Sequence, residues 1–541
     1  MSVAKSSMLM AGGTVISRIL GFVRAVVTAA AIGVTTNAAD AFGVANQLPN
    51  NVYAIIAGGT LNAVLVPQLV RARTQKDGGT GYINRLLTFI ITVFFGITLL
   101  ATIAAPALVA VYTQGWSSQQ LALATAFAYW CLPQLFFYGL YSLLGEVLNS
   151  RSAFGPFMWA PVLNNVVQLA GLIGFVILFG NDPTGVRAVD QWGPDQIAWL
   201  AGTSTLGVAS QALILLTAWK KLGIKLTLNF KWRGFGLRPA LKAASWSLGM
   251  VLVTQVGGLV QTIVASGAVS ARADNPGVAS VAAGGIAWLV FMLPHSVATV
   301  SIATAYFTKM SHHVHQDRID LLKADLAAGL RAIALISVLA TVGISVLAFS
   351  VARVFVGEFA GIVALGNVII ALMIGLLPFS FVYMMQRAFF ALEDTKTPFW
   401  FTVIQIGLHI IGAITIAVTV PADWLVVSLS LLTSSTLIIQ AVVAFGLLTR
   451  RIGSFKGLGI ASSVFKFVIS GVIAGGIGYA LLQQLGGVAD GSFAVAKVVS
   501  AGLTMVIVGG VIAAVYFVAL RLLKVSEVDT VLQAAKGIIR R

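Results

Sequence analysis

Residues 8–33 read MLMAGGTVISRILGFVRAVVTAAAIG. The run is apolar over more than the roughly 20 residues that cross a hydrocarbon core of about 30 Å, yet it holds Arg18 and Arg24. Met1–Lys5 is a short basic opening of the kind that starts a signal peptide, but such peptides have shorter apolar regions without internal arginines, so a first spanning helix is the better reading. A charge near the bilayer centre costs at least about 2.5–3.5 kcal/mol on insertion scales. Two in one helix require a cavity, a partner or a function, against the plainer alternatives of structural pairing or of Arg24 snorkelling to a boundary.

Comparable apolar runs recur outward from this one, near 38–70, 84–112, 119–148, 156–180, 195–219, 241–270, 278–308, 326–350, 361–392, 398–420, 424–449, 461–484 and 494–522. With 58% hydrophobic and 9% charged residues, against about 25% charged in ordinary soluble domains, the chain cannot build a water-soluble surface. The expected fold is an all-α polytopic membrane protein of about 14 transmembrane helices, in two six-helix lobes plus two C-terminal helices.

Fourteen spans put both termini on one side. The loops on that side hold most of the 34 Lys and Arg residues, including the run from Lys220 to Lys242, whereas the opposite loops hold Arg187, Arg272 and Arg353. This asymmetry predicts cytoplasmic termini and explains the net charge of +17 without nucleic acid. It also suggests the division: an N-terminal lobe over 1–222, a basic cytoplasmic linker over 223–240, a C-terminal lobe over 241–450, a helix pair over 451–524 and a cytoplasmic tail over 525–541. The linker reads first as a lipid-facing loop and only secondarily as a docking site, and the tail reads as a short amphipathic surface helix. Paired bundles with a midplane site are a common transporter design.

Arg18 and Arg24 lie about 120° apart around a helix of 3.6 residues per turn, so they reach one space only if it is wide or the helix bends at Gly21. Guanidinium forks suit phosphate oxygens, which points to a phosphorylated or diphosphate-linked cargo. Of the 17 acidic residues only Asp40 and Glu146 fall near span ends. A cation or drug exporter of related fold predicts buried carboxylates, and a polytopic enzyme predicts a convergent set of carboxylates, histidines or metal ligands at the membrane edge. Neither pattern is present, and a pure scaffold leaves two intramembrane arginines unexplained.

Weaker signals have plain explanations. His312, His313 and His315 lack a carboxylate or cysteine at ligand spacing and fit a solvated loop, so no metal is expected. His295 and His409 are candidate proton-titrating groups, with a hydrogen-bonded interhelical histidine as the commoner case. Cys131, the single cysteine, excludes an internal disulfide and reads as a packing residue. The 55 glycines fit close helix packing, since no GxxxxGK[ST] occurs.

Several motifs resemble one family. Ser17-Arg18-Ile-Leu-Gly21-Phe-Val-Arg24, then Asp40-Ala-Phe, Leu48-Pro49-Asn50 and Val66-Pro67, are similar to the opening of the MurJ/MviN lipid II flippases. Gly145-Glu-Val-Leu-Asn149 with Phe154, Pro156, Ala160-Pro161 and Asn164 resembles the family's fourth-to-fifth helix turn. Arg387-Ala-Phe-Phe-Ala-Leu-Glu-Asp394-Thr-Lys396-Thr-Pro398 resembles its tenth-to-eleventh turn.

The resemblance implies the fold of the multidrug/oligosaccharidyl-lipid/polysaccharide exporters. It implies movement of undecaprenyl-diphosphate-linked peptidoglycan precursor, lipid II, from the inner to the outer leaflet of the bacterial cytoplasmic membrane. Flipping of another polyprenyl-diphosphate oligosaccharide is the nearest alternative. Arg18 and Arg24 would contact the headgroup, with Ser17, Asn50 and Tyr53 beside them. Asp40, Pro49 and Gly21 would shape or gate the cavity, as would the motif positions Asn149, Pro161, Asn164, Arg387, Asp394 and Pro398. The last two helices would border a groove for the lipid tail.

Partners implied are lipid II, membrane lipids and cell-wall synthesis or division proteins. No cofactor is implied; membrane potential or a monovalent cation would supply the coupling. The chain departs from the family in two places. Many relatives carry an arginine after Leu-Pro-Asn, where this chain has Val52-Tyr53-Ala54, and an Asp-Arg pair with a Glu before the proline of helix eight, where it reads Ala287-Trp-Leu-Val-Phe-Met-Leu-Pro294. Headgroup binding would then lean on the first helix, or on Gln255 and Gln261 of helix seven.

Overall fold

A computed structural model describes residues 3–72, 80–151, 153–220, 227–231, 237–455, 459–525 and 527, with side chains described except at 3–11, 57–72, 154, 220 and 237–244. All regular structure among them is helical. Twelve helices are long and apolar enough to span a membrane, or thirteen if the bent pair Phe359–Met373 and Leu376–Ala391 counts as one span. A further helix, Asn37–Ala72, has 36 residues and so measures about 54 Å at 1.5 Å per residue. The spans fall where the apolar runs of the sequence place them.

The chain divides into two compact units, Met1–Ser270 and Ala271–Arg541. Unit 1 contains α1 (Val3–Ile32), α2 (Asn37–Ala72), α3 (Thr80–Ile103) with its short continuation α4 (Ala105–Tyr112), α5 (Ser118–Cys131), α6 (Gln134–Ser150), α7 (Phe154–Phe179), α8 (Pro194–Lys220) and α9 (Leu237–Ser266). In it α7 packs on α8 and α1, while α2 packs on α9, α5 and α6. α9 groups with unit 1. At its end Ser266 accepts from Gln114 N through its hydroxyl at 2.8 Å and from the Trp116 indole through its carbonyl at 3.1 Å.

The turn between α1 and α2 requires glycine. Gly33 has φ +81°, and a Cβ there would come within 2.7 Å of the Pro183 carbonyl oxygen. Asp182 N donates to Ala31 O at 2.9 Å beside it. Of the basic connection, 227–231 lies against α3: Asn84 Nδ2 donates to Thr227 Oγ1 at 2.8 Å and Asn229 N to Thr88 Oγ1 at 2.8 Å. Residues 221–226 and 232–236 of that run, the Val66-Pro67 side chains and nearly all of the 525–541 tail lie outside the described residues. Cys131 is fully buried, as a packing residue should be.

Unit 2 contains α10 (Val281–Pro294), a π turn (His295–Thr299), α11 (Val300–His315), α12 (Ile319–Val346), α13 (Ala348–Arg353), α14 (Phe359–Met373), α15 (Leu376–Ala391), α16 (Lys396–Thr419), α17 (Leu425–Ile452), α18 (Ile460–Gln484), α19 (Phe493–Ala496) and α20 (Val498–Leu522). α14 and α15 meet at 41°. At that corner Ser434 Oγ of α17 donates to the carbonyls of Ala371 at 2.7 Å and Leu372 at 3.2 Å, and Gly375 N donates to Leu372 O at 2.9 Å. The final pair α18 and α20 packs on α12. Gly471 and Gly475 let Val338 and Val342 approach, Gly478 admits Ile512, and the Tyr516 hydroxyl donates to Leu335 O at 3.0 Å. Small residues where backbones approach are the usual basis of helix association in lipid, where the hydrophobic effect gives little.

Candidate functional site

The charge of the site rides on α1, and α7 fixes that helix. Asn165 Nδ2 donates to the Ser17 carbonyl at 2.9 Å and to its hydroxyl at 3.2 Å. Gly21, one turn on, sits where a Cβ would lie 3.9 Å from the same asparagine side chain. Next to it, Asn164 Oδ1 accepts from Gln168 Nε2 at 2.6 Å. α1 runs as one helix through Gly21.

Arg18 and Arg24 are half-buried. Neither guanidinium makes a hydrogen bond or ion pair with a described residue, and none of their side-chain nitrogens is sealed from the surface. Arg24 is within electrostatic reach of Tyr138 on α6. The Tyr138 hydroxyl donates to Gln134 Oε1 at 3.2 Å, and Gln134 Nε2 donates to Asn46 Oδ1 at 3.0 Å. Tyr53 stands beside Tyr138, ring centroids 5.6 Å apart, with Ser142 in hydrogen-bonding reach and Glu146 close enough to act on it electrostatically. Unit 1 thus gathers Arg24, Tyr53 and the polar face of α6 while leaving both guanidinium charges without a carboxylate among the described residues. A cation kept in this state is available to an external anion, and guanidinium is suited to bidentate phosphate contacts.

Other expected positions stand apart from this group. Asn50 is exposed, and Gln255 and Gln261 are half-exposed on α9 without hydrogen bonds to described residues. Pro49 is buried within α2. Asp40 is fully buried in the first turn of α2, where the helix dipole favours a carboxylate. That helix is capped by Thr36, whose Oγ1 accepts from Ala39 N at 3.0 Å and donates to Ile32 O at 2.6 Å. Asn149 Oδ1 is buried without a partner, and Pro161 lies inside α7.

In unit 2, Arg387 lies over the Tyr383 ring at 4.8 Å and donates to its hydroxyl at 2.7 Å. Asp394 accepts from Lys396 N at 3.0 Å, Thr397 N at 2.9 Å and Thr397 Oγ1 at 2.7 Å, which satisfies the start of α16, and Pro398 is buried just inside it. The helix-eight stretch that lacks the relatives' charges is aromatic instead: Trp288 stacks on Phe291 at 5.1 Å, and Phe291 lies 5.4 Å from Phe379. His295 shares a 3.1 Å hydrogen bond with Ser380 Oγ and packs on Phe379 at 4.5 Å. His409 is buried with neither ring nitrogen partnered.

The residues that sequence reasoning passed over are Asn46, Gln134, Tyr138, Ser142 and Asn165. All are uncharged, so no insertion cost draws attention to them. One signal was available: Gln134, Tyr138, Ser142 and Glu146 are spaced by four, the period of one helix face.

Residues 28–499 match the family profile described as lipid II flippase MurJ. The probable lipid II flippase MurJ of Haemophilus influenzae is 26% identical over 414 residues, covering 71% of this chain and 75% of that protein. That of Rhizobium tropici is 25% identical over 420 residues, covering 76% and 74%. Among solved structures, lipid II flippase MurJ in an inward closed conformation superposes with a TM-score of 0.72 at 19% identity, over 95% of this chain and 99% of the other. An inward-facing multidrug transporter of the MATE family superposes with a TM-score of 0.63 at 15% identity, over 81% and 95%. Those two likenesses establish a common fold, and the profile, running over most of the sequence, establishes more: the chain belongs to the lipid II flippase MurJ family.

Proposed function

We propose that this protein moves lipid II, a disaccharide-peptide on undecaprenyl diphosphate, from the inner to the outer leaflet of a bacterial cytoplasmic membrane, with both its termini in the cytoplasm. The observation that carries the reading is the pair Arg18 and Arg24, half-buried on α1 with no carboxylate on either among the described residues. The polar headgroup cannot cross hydrocarbon, whereas its polyprenyl tail gains nothing by leaving it. The protein therefore has only to shelter the head, holding the diphosphate on Arg18 and Arg24 and opening alternately to the two sides.

Membrane potential is a sufficient drive. A potential of 100 mV, negative inside, is worth about 2.3 kcal/mol per charge, which favours outward movement of an anionic headgroup and inward return of the emptied cationic site. Turnover in vesicles should fall as the potential is dissipated, and unchanged translocation after depolarisation would reject this drive. The assignment of cargo is tested by depleting the protein in its host and labelling lipid II only at the outer leaflet. Labelling is expected to disappear, and persistent labelling would overturn the assignment.

A further inference from the structure

The polar face of α6 is not accounted for by phosphate binding. Gln134, Tyr138, Ser142 and Glu146 form a stripe with four-residue spacing that rises about 18 Å over twelve residues. At its start Gln134, almost fully buried, is tied to Asn46 at 3.0 Å and to Tyr138 at 3.2 Å. Further along, Tyr138, Ser142 and Glu146 are half-exposed, and Tyr53 of α2 stands against them. The Glu146 carboxylate has no ion pair or hydrogen bond among the described residues.

Glu146 opposes phosphate at one end of the stripe, and the stripe as a whole suits amides. Amide side chains, phenols and a hydroxyl each present both donor and acceptor, and a free carboxylate accepts N–H groups while opposing an anion. Arg24 is within electrostatic reach of Tyr138, and Glu146 lies eight residues beyond Tyr138, about 12 Å along the helix. A ligand with phosphate at Arg24 can therefore lay its non-phosphate portion along Ser142 and Glu146.

We propose that the α6 stripe, ending at Ser142 and Glu146, is a second subsite that binds the amide-bearing sugar-peptide portion of the headgroup, separate from the arginines that take its diphosphate. The proposal rests on the lipid-carrier reading above and adds to it the recognition of what hangs from the phosphates. It makes the stripe a source of selectivity against carriers that bear phosphate alone.

The test compares two probes, lipid II and undecaprenyl diphosphate, which shares the diphosphate and tail but has no sugar or peptide, against the full chain in lipid nanodiscs. Losing one neutral hydrogen bond is worth about 0.5–1.5 kcal/mol, or roughly two- to tenfold in affinity. Ser142→Ala should lower the preference for lipid II over undecaprenyl diphosphate by about that factor and Glu146→Gln, which removes a charge, by at least as much, whereas Arg24→Ala should weaken both probes. A preference unchanged in both variants, or equal weakening of the two probes, would overturn the subsite. Should Ser142→Ala fold poorly, Glu146→Gln at the half-exposed end of the stripe decides alone. Wild-type protein that binds neither probe would instead remove the carrier reading, and this inference with it.

Discussion

Asn165 of α7 holds Ser17 of α1 by two hydrogen bonds from one amide nitrogen, 2.9 Å to the carbonyl and 3.2 Å to the hydroxyl. The bond sets the height and rotation of α1 immediately before Arg18. Replacing Asn165 by Leu removes both contacts and should destabilise the protein by about 1–3 kcal/mol. The thermal midpoint in detergent should fall, and headgroup affinity should fall further than in a variant of equal stability altered elsewhere. Affinity that merely tracks stability would show that the contact is structural only.

Arg18 and Arg24 should behave as charge-bearing contacts. Arg24→Ala should weaken lipid II binding by roughly 10- to 100-fold, the range for a hydrogen bond to a charged group. Arg24→Lys should recover only part of the loss, since an ammonium lacks the planar fork. The same order is expected at Arg18. Membrane insertion measured alongside separates lost binding from lost protein.

Gly145 shows how closely α6 approaches α7. A Cβ there would stand 2.2 Å from the Phe157 ring, which itself stacks on Tyr141 at 4.9 Å. Gly145→Val must therefore displace an aromatic pair, at a cost of about 1–3 kcal/mol or more. The readout is a lowered thermal midpoint and reduced yield of inserted protein; wild-type values for both would contradict the packing.

Asp394 is expected to matter for stability ahead of transport. Its carboxylate accepts three hydrogen bonds at the start of α16. Asp394→Ala should cost about 0.5–2 kcal/mol, the usual value of a lost cap, with substrate affinity retained. Loss of transport at unchanged stability would return the residue to a gating role.

His409 makes the opposite prediction. It is 3% exposed and both ring nitrogens lack partners. An unsatisfied buried polar group costs roughly 1–3 kcal/mol, so His409→Leu should raise the thermal midpoint. A variant that is more stable yet inactive would mark the imidazole as part of coupling, whereas a more stable and active one would show it to be expendable.

How much was legible in advance follows from what each signal rests on. Span positions are set by apolar length, a property of the chain alone, and the helices appear where the runs lie, even at the 41° break inside 361–392. The arginines stood out because charge in hydrocarbon is costly wherever it occurs. Asn165, Gln134 and Tyr138 did not, because an uncharged polar residue in a span acquires meaning only from what faces it, and facing is decided by packing. The same holds for the end of α9, where Ser266 meets Trp116 of the α4–α5 connection, residues 150 positions apart. Asp40 and Asp394 were legible as motif members, but the place of Asp40 in the first turn of α2 and the bonds of Asp394 at the start of α16 are set by backbone geometry.

The corner between α14 and α15 carries a mechanical implication. Because Ser434 occupies the carbonyls exposed there and Gly375 leaves no more than 3.0 Å between a would-be Cβ and the Ser434 backbone, the elbow is bolted to α17. Changing the angle between α14 and α15 would require breaking these contacts, so the two arms and α17 are expected to turn as one piece.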